Sequence, residues 1–389
     1  MKYVNHLYRG MKLLFTPLFF ISLFACNEKK HPGPTFSESR TITVSAAAPK
    51  TDIASYSDFL FTDGEREYIV FANQSTKQLD FINLKNNHTE FSISLAAVDS
   101  VFDFSFNKLK FFVQSKDSVF ILPDESQSVF LINGTGKVIS NRNLRMKQND
   151  MTFVLSGFPN NPMQFFNGRL YLRCVPKIAT FHEKKTYFSI SPEIVLKSDT
   201  AAPVGHAGGW PETYTTVNYY DDYPLLCLTK NEGRTQLVYS FASQPDLYVY
   251  EGEKLVSRHP AASDSVHEPT PFPDDSIGNI AFTMRYLVTV PRYGKVLYDP
   301  YRKIYYRVAY HASGYYSDDG TTTRRPFDRP WSIIVLDEHF TKLGEWNFDP
   351  SVYAFSPLYV SREGLLVPHR ETDNSDTYHW QFGVFEFHP

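Results

Sequence analysis

With 42 acidic and 39 basic side chains in 389 residues, the chain has a formal charge of −3. That balance excludes the strongly basic surface of a nucleic-acid binder, so no nucleic-acid partner is expected. Aromatic residues make up 16% of the chain, 33 Phe and 25 Tyr among them; this is too apolar for a disordered protein and rich in the side chains that favour strands.

The N-terminus reads as an address. Met11–Cys26 has a basic start, an apolar stretch and a small residue before cysteine. It is too short to span a bilayer and has the form of a signal peptide. Leu23-Phe24-Ala25-Cys26 resembles a bacterial lipobox, so Cys26 is the expected acylated first residue, and Met1–Gly10 reads as an over-called start. Acyl chains contribute roughly 0.8 kcal/mol per buried CH₂, so the expected partner at Cys26 is a membrane. Asn27 does not resemble the Asp that retains lipoproteins at the inner membrane. The expected location is therefore the outer membrane, with the chain lipid-anchored and facing the periplasm or the surface. Removing residues 1–25 takes away Lys2, Arg9 and Lys12 and leaves 36 basic against 42 acidic groups, a charge of −6. Residues 1–26 are thus assigned to signal and lipobox. Residues 27–37, rich in Lys, Pro, Gly and Ser, are assigned to a tether without core residues.

From residue 38 onward one pattern recurs. Gln78–Asn83, Ser128–Asn133, Asp246–Glu251, Ser332–Asp337 and Gln381–Glu386 each start polar and carry apolar residues at positions two, four and five. Each ends in Asn, Asp or Glu, and Pro192–Lys197 is a weaker copy. These hexads are too short for helices, and turn residues bound them, so they read as strands. Most are followed by a turn and a second strand, and most are preceded by another β-rich run. The unit is therefore a three- or four-stranded antiparallel sheet. Six units in residues 46–389 give roughly 57 residues per repeat, near the ~50 of long propeller blades. The predicted fold is all-β, a six-bladed β-propeller of antiparallel blades over 38–389, an arrangement that leaves only short protected edges. The last hexad ends three residues before Pro389, leaving no room for an outer strand. The β-rich, isolated Glu38–Ser45 is predicted to supply it and close the ring. Predicted blades cover 55–95, 102–144, 151–199, 217–257, 278–348, and 352–389 with the N-terminal strand.

Hairpins joining third to fourth strands are short. The long connections are 177–186, 311–330 and 369–379 within blades, and 201–222 and 258–277 between them. Both sets emerge on one face of an antiparallel propeller. Long loops are usually functional or disordered, so this face is the expected binding face. It carries Gly205-His206-Ala-Gly-Gly-Trp210, Arg324-Arg325 and His369-Arg370. His206, Trp210, Arg324, Arg325, His369 and Arg370 are the candidate ligand-binding residues, since Arg can bind carboxylate or phosphate bidentately. Solvated or acid-paired side chains are the plain alternative for all of them.

The lipobox, the chain length, the Phe/Tyr-rich repeats and the segment Lys303-Ile-Tyr-Tyr-Arg307 after Tyr298-Asp299-Pro300 together resemble a family of Bacteroidetes lipoproteins, domain of unknown function 4221, within the β-propeller superfamily. The resemblance implies six blades and a cell-envelope location, and it brings no catalytic residues. Asp-Ser/Thr-small segments at Ser100, Ser118, Thr200, Ser265 and Ser276 resemble the O-glycosylation sequon of that phylum.

Signals for chemistry are sparse. Asn133-Gly-Thr-Gly-Lys137 lacks the Walker spacing and sits inside a hairpin, so it reads as a turn. His-Glu-x-x-His, His-x-His, Cys-x-x-Cys and Gly-x-Ser-x-Gly are all missing, so no metal and no cofactor is expected. Glu268, Asp328, Glu371 and Asp373 lie in long loops and could supply a carboxylate pair. Cys174 and Cys227 sit in apolar strand patterns, where two buried thiols and one disulfide are equally open. The leading reading is a binding module without catalysis, for an anionic small molecule, a glycan or an envelope protein. The alternatives are a glycan-active hydrolase or lyase with its site in the central funnel, and a scaffold meeting a partner across one flat face.

Overall fold

The computed structural model describes residues 33–49, 53–100, 109–123, 127–144, 147–148, 151–156, 163–176, 184–219, 227–230, 236–267, 269–317, 319–370 and 377–389. Cys26, Glu268, Glu371 and Asp373 lie outside them. The strands form six antiparallel sheets, the six blades of a β-propeller. Blade 1 is Ile53–Asp63, Arg66–Asn73, Gln78–Asn83 and His88–Ser94. Blade 2 is Leu109–Ser115, Ser118–Pro123, Ser128–Ile132 and Val138–Asn143. In blade 3, Met151–Ser156 and Gln164–Phe166 both pair with Arg169–Pro176, followed by Glu193–Lys197 and Pro203–Ala207. Blade 4 is Cys227–Lys230, Leu237–Ser240, Asp246–Glu251 and Lys254–Pro260. Blade 5 is Arg292–Asp299, Ile304–Tyr310, Trp331–Asp337 and Lys342–Phe348. Blade 6 is Tyr359–Val360, Leu365–Pro368, Thr377–His388 and, outermost, Thr35–Pro49.

Each hexad is the third strand of its blade. It is apolar nearly throughout because both of its faces are buried. In blade 5, Ile333 and Val335 enter the core shared with blade 6, while Ile334 and Leu336 enter the core shared with blade 4. The described residues form six such cores, one per blade interface. Where a hexad ends in Asn or Asp, that side chain caps the following turn, as Asn83 does for Lys85 N. Asp337 Oδ1 accepts from the backbone N–H of His339 and Thr341, and Asn133 Oδ1 from those of Thr135 and Lys137. Gly136 in that turn has φ +80°, and a Cβ there would stand 2.2 Å from the Ser94 carbonyl oxygen. This glycine serves turn geometry and close blade packing.

All six blades share one irregularity. Opposite positions four and five of the hexad, the outer strand carries an extra residue: Glu90, Ile139, Val204, Val256, Leu343 and Ser39. Such bulges bend and twist a strand, which makes the outer edge a poor template for another chain. Outer strands also reach the next blade's third-to-fourth hairpin. Arg142 Nε donates to the Thr200 carbonyl, Gly208 N to the Gly252 carbonyl, and Ser45 N to Asn87 Oδ1.

The predicted closure is present. Thr35–Pro49 pairs antiparallel with Thr377–His388, and Ile42 and Val44 enter a core with Ile69 and Phe71 of blade 1. Three expectations need correction. The sequence assigns the tether through Ser37, but the strand starts at Thr35 and Phe36 is buried between blades 5 and 6. The 201–222 connection reads as a loop, but it contains the outer strand of blade 3, Pro203–Ala207, hidden by its proline and glycine. The expected blade 5 begins at 278, but Ile280–Thr289 is a helix whose start is capped by Asn279 Oδ1 accepting from Phe282 N. Cys174 is a buried free thiol, and burial pushes its pKa up.

Candidate functional site

The connection after Ile304–Tyr310 turns back through an antiparallel bridge, Tyr316 with Thr323, and ends in the 3-10 turn Pro326–Asp328. Arg324 closes this loop on itself, its Nη1 donating to the carbonyls of Gly314 (3.2 Å) and Tyr316 (2.8 Å). Asp328 Oδ2 accepts from the Arg325 backbone N–H (3.0 Å) and Nε (3.1 Å), and its Oδ1 accepts from Arg370 Nη1 (2.7 Å). Arg370 Nη2 also donates to the Phe327 carbonyl. Burial raises the Asp328 pKa, but the hydrogen bonds from Arg325 and Arg370 outweigh it and bring it down to about 2. Two of the six candidates, Arg325 and Arg370, therefore meet through one carboxylate and join blade 5 to blade 6.

His369 stands beside them in sequence but faces the closing strand. Its Nε2 lies 3.2 Å from Glu38 Oε1, while Tyr353 Oη donates to Glu38 Oε2 at 2.5 Å. His206 and Trp210 lie elsewhere, at the boundary of blades 3 and 4. His206 is in the outer strand, opposite Ile194, and burial lowers its pKa. Trp210 donates to the Ile190 carbonyl and packs on Phe188, Tyr214 and Phe241 beneath the Arg173 guanidinium. The candidates thus fall into a blade 5–6 group and a blade 3–4 group.

A Ser–His–acid contact lies at the end of blade 5. His311 Nε2 is 2.9 Å from Ser332 Oγ, and Ser332 Oγ donates to Glu345 Oε1 at 2.6 Å. A nucleophilic serine gives its proton to the histidine. Here the proton points at the carboxylate, and Ser332 is fully buried. Glu345 also accepts from Ser263, the Asp264 backbone N–H and Lys342. Burial raises its pKa, but those donors outweigh it and the pKa ends lowered. The cluster ties the blade 4–5 connection to blade 5. Among the described residues, no group of three or more His, Cys, Asp or Glu side chains is placed to hold a metal.

Sequence reasoning missed the buried arginines. Arg307, the last residue of the Lys303–Arg307 segment, is fully buried. Its Nε donates to Ser240 Oγ, its Nη1 to the carbonyls of Pro245 and Ala261, and its Nη2 to that of Gln244. The guanidinium also sits 3.8 Å above the Tyr293 ring. In the same segment, Asp299 caps a turn through the Tyr301 and Arg302 backbone N–H groups and pairs with the Arg302 guanidinium. Arg329, also buried, donates from Nη1 to the carbonyls of Leu287 and Val290 and so closes the C-terminus of the helix Ile280–Thr289. The legible signal was a cation inside an apolar strand, as in Tyr305-Tyr306-Arg307-Val308.

Residues 214–347 match the model of the family described as domain of unknown function (DUF4221). The structure resembles that of a DUF4221 member from Bacteroides vulgatus with a TM-score of 0.73 and 18% identity, covering 92% of this chain and 99% of that one. It also resembles a Bacteroides fragilis protein taken to be exported, with a TM-score of 0.51 and 9% identity, covering 92% and 96%. At these identities the likeness speaks for fold. No curated protein matches the sequence. No helix among the described residues is long and apolar enough to cross a membrane. The chain is a six-bladed β-propeller whose residues 214–347 match the DUF4221 family model.

Proposed function

We propose that this chain is a cell-envelope lipoprotein, anchored at Cys26, whose propeller is a binding module without catalysis. The binding face is formed by the long connections of blades 5 and 6. The observation carrying this reading is the state of Asp328. Hydrogen-bonded to Arg325 and Arg370, with a pKa near 2, it stays charged and is a poor proton donor, whereas the acid of a glycoside hydrolase must hold its proton near neutral pH. The exposed groups around it are cations and aromatics, the side chains of recognition surfaces.

Two measurements test this reading. Labelling cells with a fatty-acid probe should mark the wild type and leave Cys26→Ala unlabelled; equal labelling removes the anchor. Photo-crosslinking side chains at Arg325 or Arg370 should capture a partner in intact cells, while the same probe at Asn167 or Gly168, in the opposite hairpin, should not. Equal yields at both faces, or hydrolysis of envelope glycans by the purified chain, would overturn the module.

A further inference from the structure

The helix Ile280–Thr289 stands out among the connections. It is locked at both ends, by Asn279 at the start and by Arg329 at the finish. Its inner face is buried through Thr283, Tyr286 and Val288. Tyr286 Oη donates to the carbonyls of Tyr219 and Thr270, and its ring packs 5.0 Å from that of Phe272. The outer face is apolar as well. Ile280 is 76% exposed and Met284 40% exposed, and half-buried Leu287 continues the i, i+4, i+7 stripe. The helix lies against the turn Pro326–Asp328, where Phe327 is 52% exposed. A rigid helix that presents aliphatic side chains to water on one stripe has the form of a docking element.

Charge selects the occupant. Arg285 is exposed on the same helix, and Arg325 and Arg370 flank Phe327. Asp328 alone is held between those two arginines. Asp274 and Asp275 lie before the helix, at the end away from Arg329. The patch is therefore apolar with a cationic border, on a chain whose net charge is negative. The chain's entry argues against the anchoring membrane as occupant. Thr35 pairs with His388, whereas the His369 N–H bonds the Gln381 carbonyl, so about seven residues of strand, roughly 23 Å, separate the point of entry from the Arg370 end.

We infer that the outer stripe of this helix, with Phe327 and its arginine border, docks an acidic segment of a partner protein carrying aliphatic or aromatic anchors. The inference rests on the binding-module reading and names the partner chemistry. The probe is a labelled synthetic peptide alternating Glu with Leu and carrying one Phe, titrated onto the full folded chain. Saturable binding is expected. It should weaken roughly tenfold in Ile280→Asp/Met284→Asp, as for the central anchors of an interface. It should weaken more modestly in Arg285→Glu, with the latter loss fading at high salt. Replacing Glu by Lys in the peptide should abolish binding. Absence of saturable binding, or equal binding by the variants, overturns the inference. So does stripe-dependent binding to phosphatidylglycerol vesicles, or stripe-dependent self-association, which would assign the patch to lipid or to a second copy. A crosslinker at Ile280 separates the two levels. Silence there with capture at Arg370 removes the docking stripe and leaves the module, whereas silence at both removes both.

Discussion

Arg307 shows how one side chain can hold two blades in register. Its guanidinium donates to the carbonyls of Gln244, Pro245 and Ala261, at the end of blade 4. A buried acceptor left unsatisfied costs about 1–3 kcal/mol, so Arg307→Met is expected to lower stability by ~3 kcal/mol or more in urea unfolding. A loss below ~1 kcal/mol would mean that water replaces the guanidinium. Glu38 is a second single-residue hinge of stability. Burial raises its pKa, but hydrogen bonds from Tyr353, Thr41 and His369 outweigh it, so the folded pKa lies below the ordinary value of 4.5. Its stabilising contribution is therefore complete above pH 4.5 and is lost as pH falls from there through the lower folded value. Glu38→Gln should flatten the acid limb of the melting-temperature profile and leave the slope of the neutral limb unchanged. An unchanged acid limb would assign the acid sensitivity to other carboxylates. Residues of this kind were only partly legible in the sequence. Arg307 is visible as a cation in an apolar run, yet its role depends on carbonyls more than forty residues away. Arg325 and Arg370 are visible as cations, but nothing in the sequence shows that they share one acid, Asp328.

Among elements, the closing strand is the most exposed to test. Phe36 lies among Tyr306, Trp346, Phe348 and Phe385. Large aromatic truncations in cores typically cost 3–5 kcal/mol, so Phe36→Ala is expected to cost ~3 kcal/mol. Deleting 35–45 should bare the edge of Thr377–His388 and drive association, visible as a shift in sedimentation. A monomer with an unchanged melt would show that the ring stands without that strand. The sequence revealed the six third strands because each must be apolar on both faces, which leaves a dense and recurrent pattern. Most outer strands were legible too, as the strand that follows each hexad's turn, and Glu38–Ser45 as the one that closes the ring. Pro203–Ala207 was not, because its proline and glycine are residues that strands avoid and a bulge breaks its alternation. The helix Ile280–Thr289 was lost because its apolar content resembles a strand, although Asn279 offered a readable cap.

At the scale of the molecule, the ring is held by six aromatic and aliphatic cores of similar construction and by outer strands that hook onto the next blade. Thr35 lies opposite His388 in the last blade, so the two ends of the folded chain are neighbours. This gives the ring a freedom of connectivity. A circular permutant that links Pro389 to Pro34 through a few flexible residues, and that opens at the exposed Gly278 between blades 4 and 5, breaks no strand pairing. It should fold to the same six blades, with the former closing strand joined to its partner as an ordinary hairpin. The seam that now depends on two distant segments finding each other would become a local turn, and the order in which the blades assemble would be set by the new point of opening.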